Sequence, residues 1–223
     1  MKNDVNPYSR FVSEIVRTLK EGETLPLGGL PPAALPEIPS DAPRALVFAP
    51  HPDDECIIGG LPLRLLRELR MRVVNVAVTL GSRKERRRER LAELTDACQY
   101  LGFELLETQE GGFEGVNLHT RQQDAQAWAR AVGRVCEILA ANEARAVFFP
   151  HDDDGNSTHV GTHFLVTDAL REMGRDFSCQ VFETEFWKEM ADPNLLVESG
   201  PRDVADLVAA LSFHVGEVRR NPY

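Results

Sequence analysis

The sequence predicts a Rossmann-like three-layer α/β sandwich with a mostly parallel sheet, folded as a single domain. Four short apolar runs are typical of buried parallel strands, at residues 45–49, 73–78, 146–149 and 179–182. Segments with helical periodicity separate these runs, so crossover connections must join the strands. A chain of 223 residues is within the size that one hydrophobic core usually serves.

The clearest helical pattern covers residues 124–141, where apolar side chains recur every three or four positions along one face. A second covers residues 83–101, with Gly102 placed as a C-cap. Residues 204–219 also have a helical pattern. In folds of this kind ligands bind beyond the carboxyl ends of the strands, so the loops that follow the strands are the place to look for a site.

The first 40 residues differ from the rest of the chain. Residues 11–19 predict a short amphipathic helix, and residues 25–39 are rich in proline and glycine. We interpret residues 1–40 as an N-terminal arm packed on a domain formed by residues 41–223.

Composition excludes several classes of function. The net charge of -10 disfavours nonspecific binding to nucleic acid or anionic membranes. The sequence has neither a leader pattern nor an apolar run of the roughly 20 residues that a membrane helix needs. The four cysteines are far apart, which argues against a disulfide framework and a thiolate zinc site. We therefore expect a cytoplasmic protein without an integral membrane segment; its oligomeric state stays open, and a homo-oligomer is compatible with the sequence.

Two loops after predicted strands carry histidines and carboxylates. The first reads Ala-Pro-His-Pro-Asp-Asp-Glu over residues 49–55, and the second reads Pro-His-Asp-Asp-Asp-Gly-Asn-Ser-Thr-His over residues 150–159. An imidazole and a carboxylate three residues apart on a tight turn, as at His51 and Asp54, can face one cation. A histidine from the second loop would complete a three-ligand site with an open position for water.

The chemistry of such a site is hydrolytic. A metal makes water a nucleophile at neutral pH, and a neighbouring carboxylate can take its proton as an amide carbonyl is attacked. Asp53 is the natural base. The competing structural interpretation is a polar turn that caps the next helix, and the second histidine loop argues against it.

Residues 49–55 resemble the Ala-His-Pro-Asp-Asp-Glu signature of the PIG-L/LmbE-like family of zinc-dependent de-N-acetylases. The resemblance extends over roughly residues 45–221 and includes Arg90-Leu91-Ala92-Glu93. It implies a Rossmann-like fold, His51 and Asp54 as metal ligands, and Asp53 as general base. One Zn²⁺ per chain is the implied cofactor, and two histidines with one carboxylate also suit Fe²⁺.

The resemblance also implies a third ligand and further site residues. The family's last ligand opens a helix, which matches His159; His163, one turn further, is the alternative. Asn156 stands where many members have a histidine that stabilises the oxyanion, and can donate a hydrogen bond but carries no charge. Arg90 is the expected substrate-binding residue.

Other polar and aromatic residues are weaker candidates. Three consecutive aspartates, at positions 152, 153 and 154, could orient the ligating histidines or form a solvated loop. His151 follows its strand as His51 does, although the family places its ligand later in this loop. His214 matches a histidine or tyrosine region of the family, whereas His119 is remote from both loops. Trp187 follows a strand and is either a packing residue or a platform for a pyranose.

The resemblance predicts an enzyme that removes an acetyl group from an N-acetylated sugar of the N-acetylglucosamine type, or from a glycoconjugate. The main alternative is an amidase that acts on a thiol conjugate or an antibiotic intermediate. A dinucleotide-binding module is disfavoured because no Gly-x-Gly-x-x-Gly follows a strand. A catalytically idle member is disfavoured because no predicted ligand or base is missing.

Overall fold

The computed structural model describes residues 6–221, so the first five residues of the expected arm and the last two of the expected domain lie outside the described residues. In this part of the chain the strands are β1 (Arg44–Ala49), β2 (Arg72–Ala77), β3 (Glu104–Glu107), β4 (Ala146–Pro150) and β5 (Gln180–Thr184). The helices are α1 (Ser9–Gly22), α2 (Asp54–Ile57), α3 (Gly60–Leu69), α4 (Arg87–Leu101), α5 (Leu118–Gln123), α6 (Ala125–Ala141), α7 (Ser157–Met173), α8 (Pro201–Leu211) and α9 (Val215–Val218). Short 3-10 helices cover Lys84–Arg86 and Gly174–Asp176.

The strands form one parallel sheet in the order β3-β2-β1-β4-β5. Helices cover both of its faces. On one side α3, α4 and α8 pack against Val47 and Phe148, and on the other α6 and α7 pack against Leu46 and Phe48. Because residues of both orientations are buried in the inner strands β1, β2 and β4, these strands appear in the sequence as continuous apolar runs. The predicted three-layer α/β fold is confirmed.

One strand is absent from the sequence prediction. β3 has four residues, begins and ends with glutamate, and contains no fully buried side chain. It lies at the sheet edge beside β2. An edge strand is not required to be apolar along its whole length. β5, at the other edge, still has the short apolar run Val181-Phe182 that made it visible, whereas the two leucines of β3 lie between glutamates.

The position of β1 locates the binding crevice. From β1 the chain proceeds to β2 and β3 on one side, then returns to place β4 and β5 on the other. β1 and β4 are neighbours, yet the connections that follow them leave in opposite directions. Such a reversal opens a crevice at the carboxyl ends of the two strands. The two candidate loops follow these strands.

The predicted helices are present with adjusted ends. α6 begins one residue after its predicted start, and the Asp124 side chain accepts a hydrogen bond from the Ala127 N–H at 2.9 Å. The helix predicted from residue 83 starts as a 3-10 turn, and α4 proper begins at Arg87. Gly102 ends α4 with a φ of 75°, the left-handed conformation that suits glycine at a C-cap.

The last predicted helix is instead two helices. α8 and α9 are separated at Ser212, Phe213 and His214, and the His214 side chain turns into the protein interior. The single helical pattern predicted across residues 204–219 is therefore wrong at this break. At this break His214 makes the interior contact with Glu55 that is described below.

The N-terminal segment has two parts. α1 is longer than predicted and contains no buried residue; Phe11 and Leu19 on its apolar face are 61% and 66% exposed. The proline- and glycine-rich part does pack on the domain, since Ala33 N–H donates to the Tyr100 carbonyl at 3.1 Å and Gly28 N–H to Ser212 Oγ at 3.2 Å. None of the helices within residues 6–221 has the length and apolar character needed to cross a bilayer.

Candidate metal centre

The loop after β1 is a tight turn that ends in α2. Asp54 is the first residue of α2, and its Oδ2 accepts a hydrogen bond from the His51 backbone N–H at 2.8 Å. Asp53 lies between them with a φ of 112°, a conformation that residues with a side chain rarely adopt. The turn places His51 Nδ1 3.4 Å from Asp54 Oδ2.

The loop after β4 leads into α7. Asn156 is the N-cap of this helix, and its Oδ1 accepts a hydrogen bond from the Thr158 N–H at 2.8 Å. The cap fixes the first turn of α7, which contains the fully buried His159. His159 Nε2 lies 3.2 Å from Asp54 Oδ2 and 3.2 Å from His51 Nδ1.

The three donor atoms of His51, Asp54 and His159 thus form a nearly equilateral triangle. Its sides are 3.2, 3.2 and 3.4 Å. A tetrahedral zinc ion with ligands at about 2.0–2.2 Å needs donor atoms about 3.3–3.6 Å apart. The structure therefore brings the three predicted ligands together at a spacing that fits a small divalent cation.

Electrostatics at the triangle favour a charged carboxylate. Burial alone would raise the pKa of Asp54, but hydrogen bonds from His159 and His51 outweigh it and lower that pKa. Burial would likewise lower the pKa of His159, yet the adjacent Asp54 carboxylate raises it. Asp54 therefore stays ionised near neutral pH, the form in which a carboxylate binds a cation.

One of the three consecutive aspartates supports a ligand. Asp154 Oδ1 lies 3.5 Å from His159 Nδ1, on the side of the ring away from the triangle. The same carboxylate accepts backbone N–H groups from Asn156 at 3.0 Å and Trp187 at 3.1 Å, so it is rigidly held. The 3.5 Å contact with His159 is a charge contact and not a hydrogen bond. A carboxylate on this side of the ring favours the orientation that leaves the opposite nitrogen available to a metal.

The neighbouring polar residues of this loop have other partners. His151 Nε2 lies 2.9 Å from the Lys188 carbonyl oxygen, away from the triangle. Asp153 pairs with the Lys188 ammonium, and Asp152 is exposed. These contacts fasten the segment after β5 to the segment after β4.

The alternative ligand His163 is buried but does not join the triangle. Its Nδ1 lies 3.1 Å from the Pro150 carbonyl oxygen and 3.8 Å from Glu183 Oε1. His119 is exposed in α5. The geometry favours His159 over both.

A cavity of about 620 Å³ opens beside the triangle. Asp53, His51 and Asp54 line its inner part, and Asn156 and Trp187 lie on its wall. Trp187 is 58% exposed, although its backbone is fixed by Asp154. The rest of the wall is mostly polar and includes Ser82, Lys84, Arg87, Glu114, Asn117 and Ser157.

Arg90 also lines this cavity, but its guanidinium is engaged with the protein. Its Nη2 donates to the Pro52 carbonyl at 2.8 Å and lies 3.9 Å from Asp53 Oδ1. Its Nε lies 3.5 Å from Glu217 Oε1, and its side chain is only 10% exposed. A role in substrate binding stays a prediction, and these contacts support a role in holding the loop after β1.

Comparison with known protein families shows to which family this chain belongs. Residues 46–170, more than half of the chain, match the family described as PIG-L, the GlcNAc-PI de-N-acetylases. The chain belongs to the PIG-L family. Zinc dependence is a general trait of this family, and the matched segment contains His51, Asp54 and His159.

The similar proteins are distant in sequence, and the solved structures among them share the fold. A 1D-myo-inositol 2-acetamido-2-deoxy-alpha-D-glucopyranoside deacetylase of Mycobacterium leprae is 29% identical over 179 residues; the match covers 67% of this chain and 58% of that relative. The conserved protein TT1542 from Thermus thermophilus has a TM-score of 0.61 at 22% identity, covering 76% of this chain and 78% of the other. An N,N'-diacetylchitobiose deacetylase from Pyrococcus horikoshii has a TM-score of 0.57 at 16% identity, covering 95% and 80% respectively.

Two buried residues near the PIG-L site escaped the sequence analysis as functional candidates. Glu55, the last residue of the loop motif, is fully buried and accepts the Asp53 N–H at 3.0 Å. Glu217, in α9, is fully buried among Arg86, Arg90 and Arg220. A buried carboxylate is rare enough to draw attention in a structure, but the sequence does not show that a particular glutamate is buried.

Proposed function

We propose that this chain is a metal-dependent N-deacetylase that hydrolyses the acetamide of an N-acetylated sugar of the N-acetylglucosamine type. The observation that carries the proposal is the triangle of His51, Asp54 and His159 beside Asp53, at the inner end of an open cavity. Zn²⁺ is the proposed ion, since the donor spacing and donor types suit it, and Fe²⁺ is the alternative.

The residues around the triangle have distinct roles in the proposed reaction. Zinc held there would supply Lewis acidity, which makes water nucleophilic near neutral pH and polarises a carbonyl. Asp53 accepts the proton of the attacking water and returns it to the leaving amine. The products are acetate and the free amino sugar. Asn156 donates its amide N–H to the carbonyl oxygen as negative charge develops there.

Two observations support a sugar as the substrate. The names of the Mycobacterium leprae and Pyrococcus horikoshii relatives both describe N-acetylated sugars. The cavity wall combines polar side chains with the exposed indole of Trp187, and an aromatic ring with polar neighbours suits a pyranose, whose faces are apolar and whose rim carries hydroxyls.

The direct test combines metal analysis with amine release. Protein purified without chelators should contain about one zinc per chain. It should release amine from at least one member of a panel of N-acetylglucosamine derivatives, and chelation should abolish the release. Acetylated thiol conjugates and acylated antibiotic intermediates belong in the same panel. Release from these but from no sugar would contradict the proposed substrate and favour the alternative amidase.

A further inference from the structure

Two buried side chains at the short helix α9 connect it to the loop after β1, one through Glu55 and the other through Arg90. These are Glu217, in the helix, and His214, its N-cap residue; both have 0% exposure. Both lie beyond the segment that matches the PIG-L family. We propose that His214 and Glu217, here called the C-terminal clamp, are positioning residues that hold Asp53 in its active orientation. The proposal rests on the proposed function of Asp53 as the base.

The clamp acts on one peptide group, the bond between Pro52 and Asp53. At its nitrogen end, the Asp53 N–H donates to Glu55 Oε2 at 3.0 Å, and Glu55 Oε1 lies 2.6 Å from His214 Nε2. Glu55 and His214 are both completely buried. Truncation of one member of such a pair leaves the other buried without its partner.

At the oxygen end of the same peptide group, the Pro52 carbonyl accepts a hydrogen bond from Arg90 Nη2 at 2.8 Å. Arg90 Nε lies 3.5 Å from Glu217, which also pairs with Arg86 at 2.9 Å and with Arg220. Glu217 therefore attracts the arginine that holds this oxygen through a buried ion pair that is not a hydrogen bond. His214 holds the glutamate that accepts from the nitrogen through a 2.6 Å hydrogen bond.

Fixing both ends of this peptide group matters because its plane sets the φ of Asp53. That φ is 112°. A residue with a side chain is sterically strained in this conformation, which persists only if the surrounding structure enforces it. A rotation of the peptide group towards negative φ would swing the Asp53 carboxylate away from the triangle. The ligands would be spared, because His51 and Asp54 are joined by a separate hydrogen bond.

An alternative use for part of this cluster is a second metal site. Glu55, Cys56 and His214 have donor atoms near one another and are buried. The Glu55 oxygens already accept from Asp53, from Cys56 Sγ at 3.1 Å and from His214. Hydrogen bonds within the protein thus engage the Glu55 oxygens, Cys56 Sγ and His214 Nε2, which are the atoms that a metal would need, while His214 Nδ1 has no hydrogen-bond partner within the described residues. We therefore assign the cluster to the positioning network.

The test uses His214→Ala and Glu217→Gln in the zinc-loaded protein, with the acetylated sugar that the full chain turns over fastest. We expect kcat to fall about 10- to 100-fold in each, with KM within about twofold and zinc content unchanged. His214→Gln keeps an N–H donor for Glu55 and should recover most of the rate. Asp168→Asn, in α7 far from the loop, is the control for general destabilisation and should keep its kcat.

A double-mutant cycle separates positioning from structural damage. If His214 acts through Asp53, then His214→Ala added to Asp53→Asn should lower kcat by less than about twofold further. Independent losses would overturn the clamp, as would loss of zinc in His214→Ala.

Crystal structures of three single variants, His214→Ala, His214→Gln and Glu217→Gln, provide a readout that needs no activity. Movement of Asp53 out of the positive-φ region in Glu217→Gln, with the native φ kept in His214→Gln, supports the clamp. A φ near 112° in Glu217→Gln and also in His214→Ala would overturn it. A normal kcat for Asp53→Asn would instead refute the proposed base, and these structures would still test the clamp.

Discussion

His51 Nδ1 lies 3.2 Å from His159 Nε2, although 108 positions separate the two residues in the sequence. The carboxylate oxygen of Asp54 lies 3.4 Å from the first nitrogen and 3.2 Å from the second. These three atoms are spaced as the ligands of a tetrahedral zinc ion are. The adjacency of β1 and β4 in the sheet produces this contact, because each strand delivers one of the two histidine loops to the same crevice.

The carboxylate behind His159 should control metal affinity. Asp154→Ala removes the acceptor near Nδ1 and frees the ring to rotate, so zinc affinity should fall about 10- to 100-fold. Competition with a chromophoric chelator measures the change. Asp153→Ala is the matched control, since its carboxylate pairs with Lys188 on the surface, and it should bind zinc as the unchanged protein does. Equal affinities for the two variants would contradict the role of Asp154.

The adjacent aspartates of the first loop should separate metal binding from catalysis. Asp53→Asn should keep about one zinc per chain and lose kcat, because the base acts only after water is in place. Asp54→Ala and His51→Ala should lose the metal. Metal analysis and rate measurements on the same preparations decide the assignment. An empty site in Asp53→Asn and a full one in Asp54→Asn would mean that ligand and base are exchanged.

The site residues that are close together in the sequence could be predicted from it, whereas contacts between distant residues could not. His51, Asp53 and Asp54 lie within one turn of chain, so their spacing alone indicates a cation site. Asp154 could not be selected from its two neighbours, because the path of the loop decides which of three adjacent carboxylates turns inward. The contact between Glu55 and His214 spans 159 positions and depends on the break between α8 and α9.

The secondary structure could likewise be predicted only where the local sequence pattern is sufficient. The three inner strands β1, β2 and β4 were visible because burial on both faces requires apolar residues at nearly every position. The edge strands lack that requirement: β5 was found from its short apolar run at Val181 and Phe182, whereas β3, which begins and ends with glutamate, was missed. The helical pattern of α1 predicted the helix itself, but a pattern of apolar residues does not reveal whether that face is covered, and in the described residues it is exposed.

Trp187 provides an optical test of sugar binding. The chain has two tryptophans, and Trp128 is 8% exposed whereas Trp187 lies on the cavity wall. A pyranose stacked on Trp187 should change the emission of Asp53→Asn protein, which binds substrate without turning it over. The same titration of a protein that also carries Trp187→Phe should show no change. A signal that survives this substitution would place the sugar elsewhere.

The partly buried ion pairs of Asp168, which lie away from the metal centre, should make the free energy of unfolding depend on pH. Asp168 accepts hydrogen bonds from Arg121 at 2.8 Å, Trp128 Nε1 at 3.0 Å and Arg171 at 2.9 Å. Burial would raise the pKa of Asp168, but these donors outweigh it and lower that pKa. A lowered folded-state pKa stabilises the protein above the unfolded pKa, and this contribution is lost as the pH falls through the folded pKa.

Asp168→Asn should therefore reduce the free energy of unfolding by about 1–2 kcal/mol at neutral pH, at the low end of the values for hydrogen bonds to a charged group, because solvent screens this partly exposed carboxylate. The difference between the two proteins should shrink steadily as the pH is lowered below about 4, where the unfolded carboxyl becomes protonated. Urea unfolding at several pH values measures it. A constant difference across this range would contradict the assigned role of the ionised Asp168.

Asn156 has two roles to separate, because its Oδ1 caps α7 and its amide nitrogen is the proposed oxyanion donor. Asn156→Ser keeps a capping oxygen but loses the amide donor, so it should retain stability while kcat falls. Asn156→Ala loses both functions. It should cost about 0.5–2 kcal/mol of stability as a missing cap, and about 10²–10³ in kcat as a missing oxyanion donor. Urea unfolding and steady-state rates on both variants give the comparison.

If Asn156→Ser were as active as the unchanged protein, capping would be the whole role of Asn156. The oxyanion would then depend on another donor at the cavity wall, where Ser157 and Asn117 are the next residues to test.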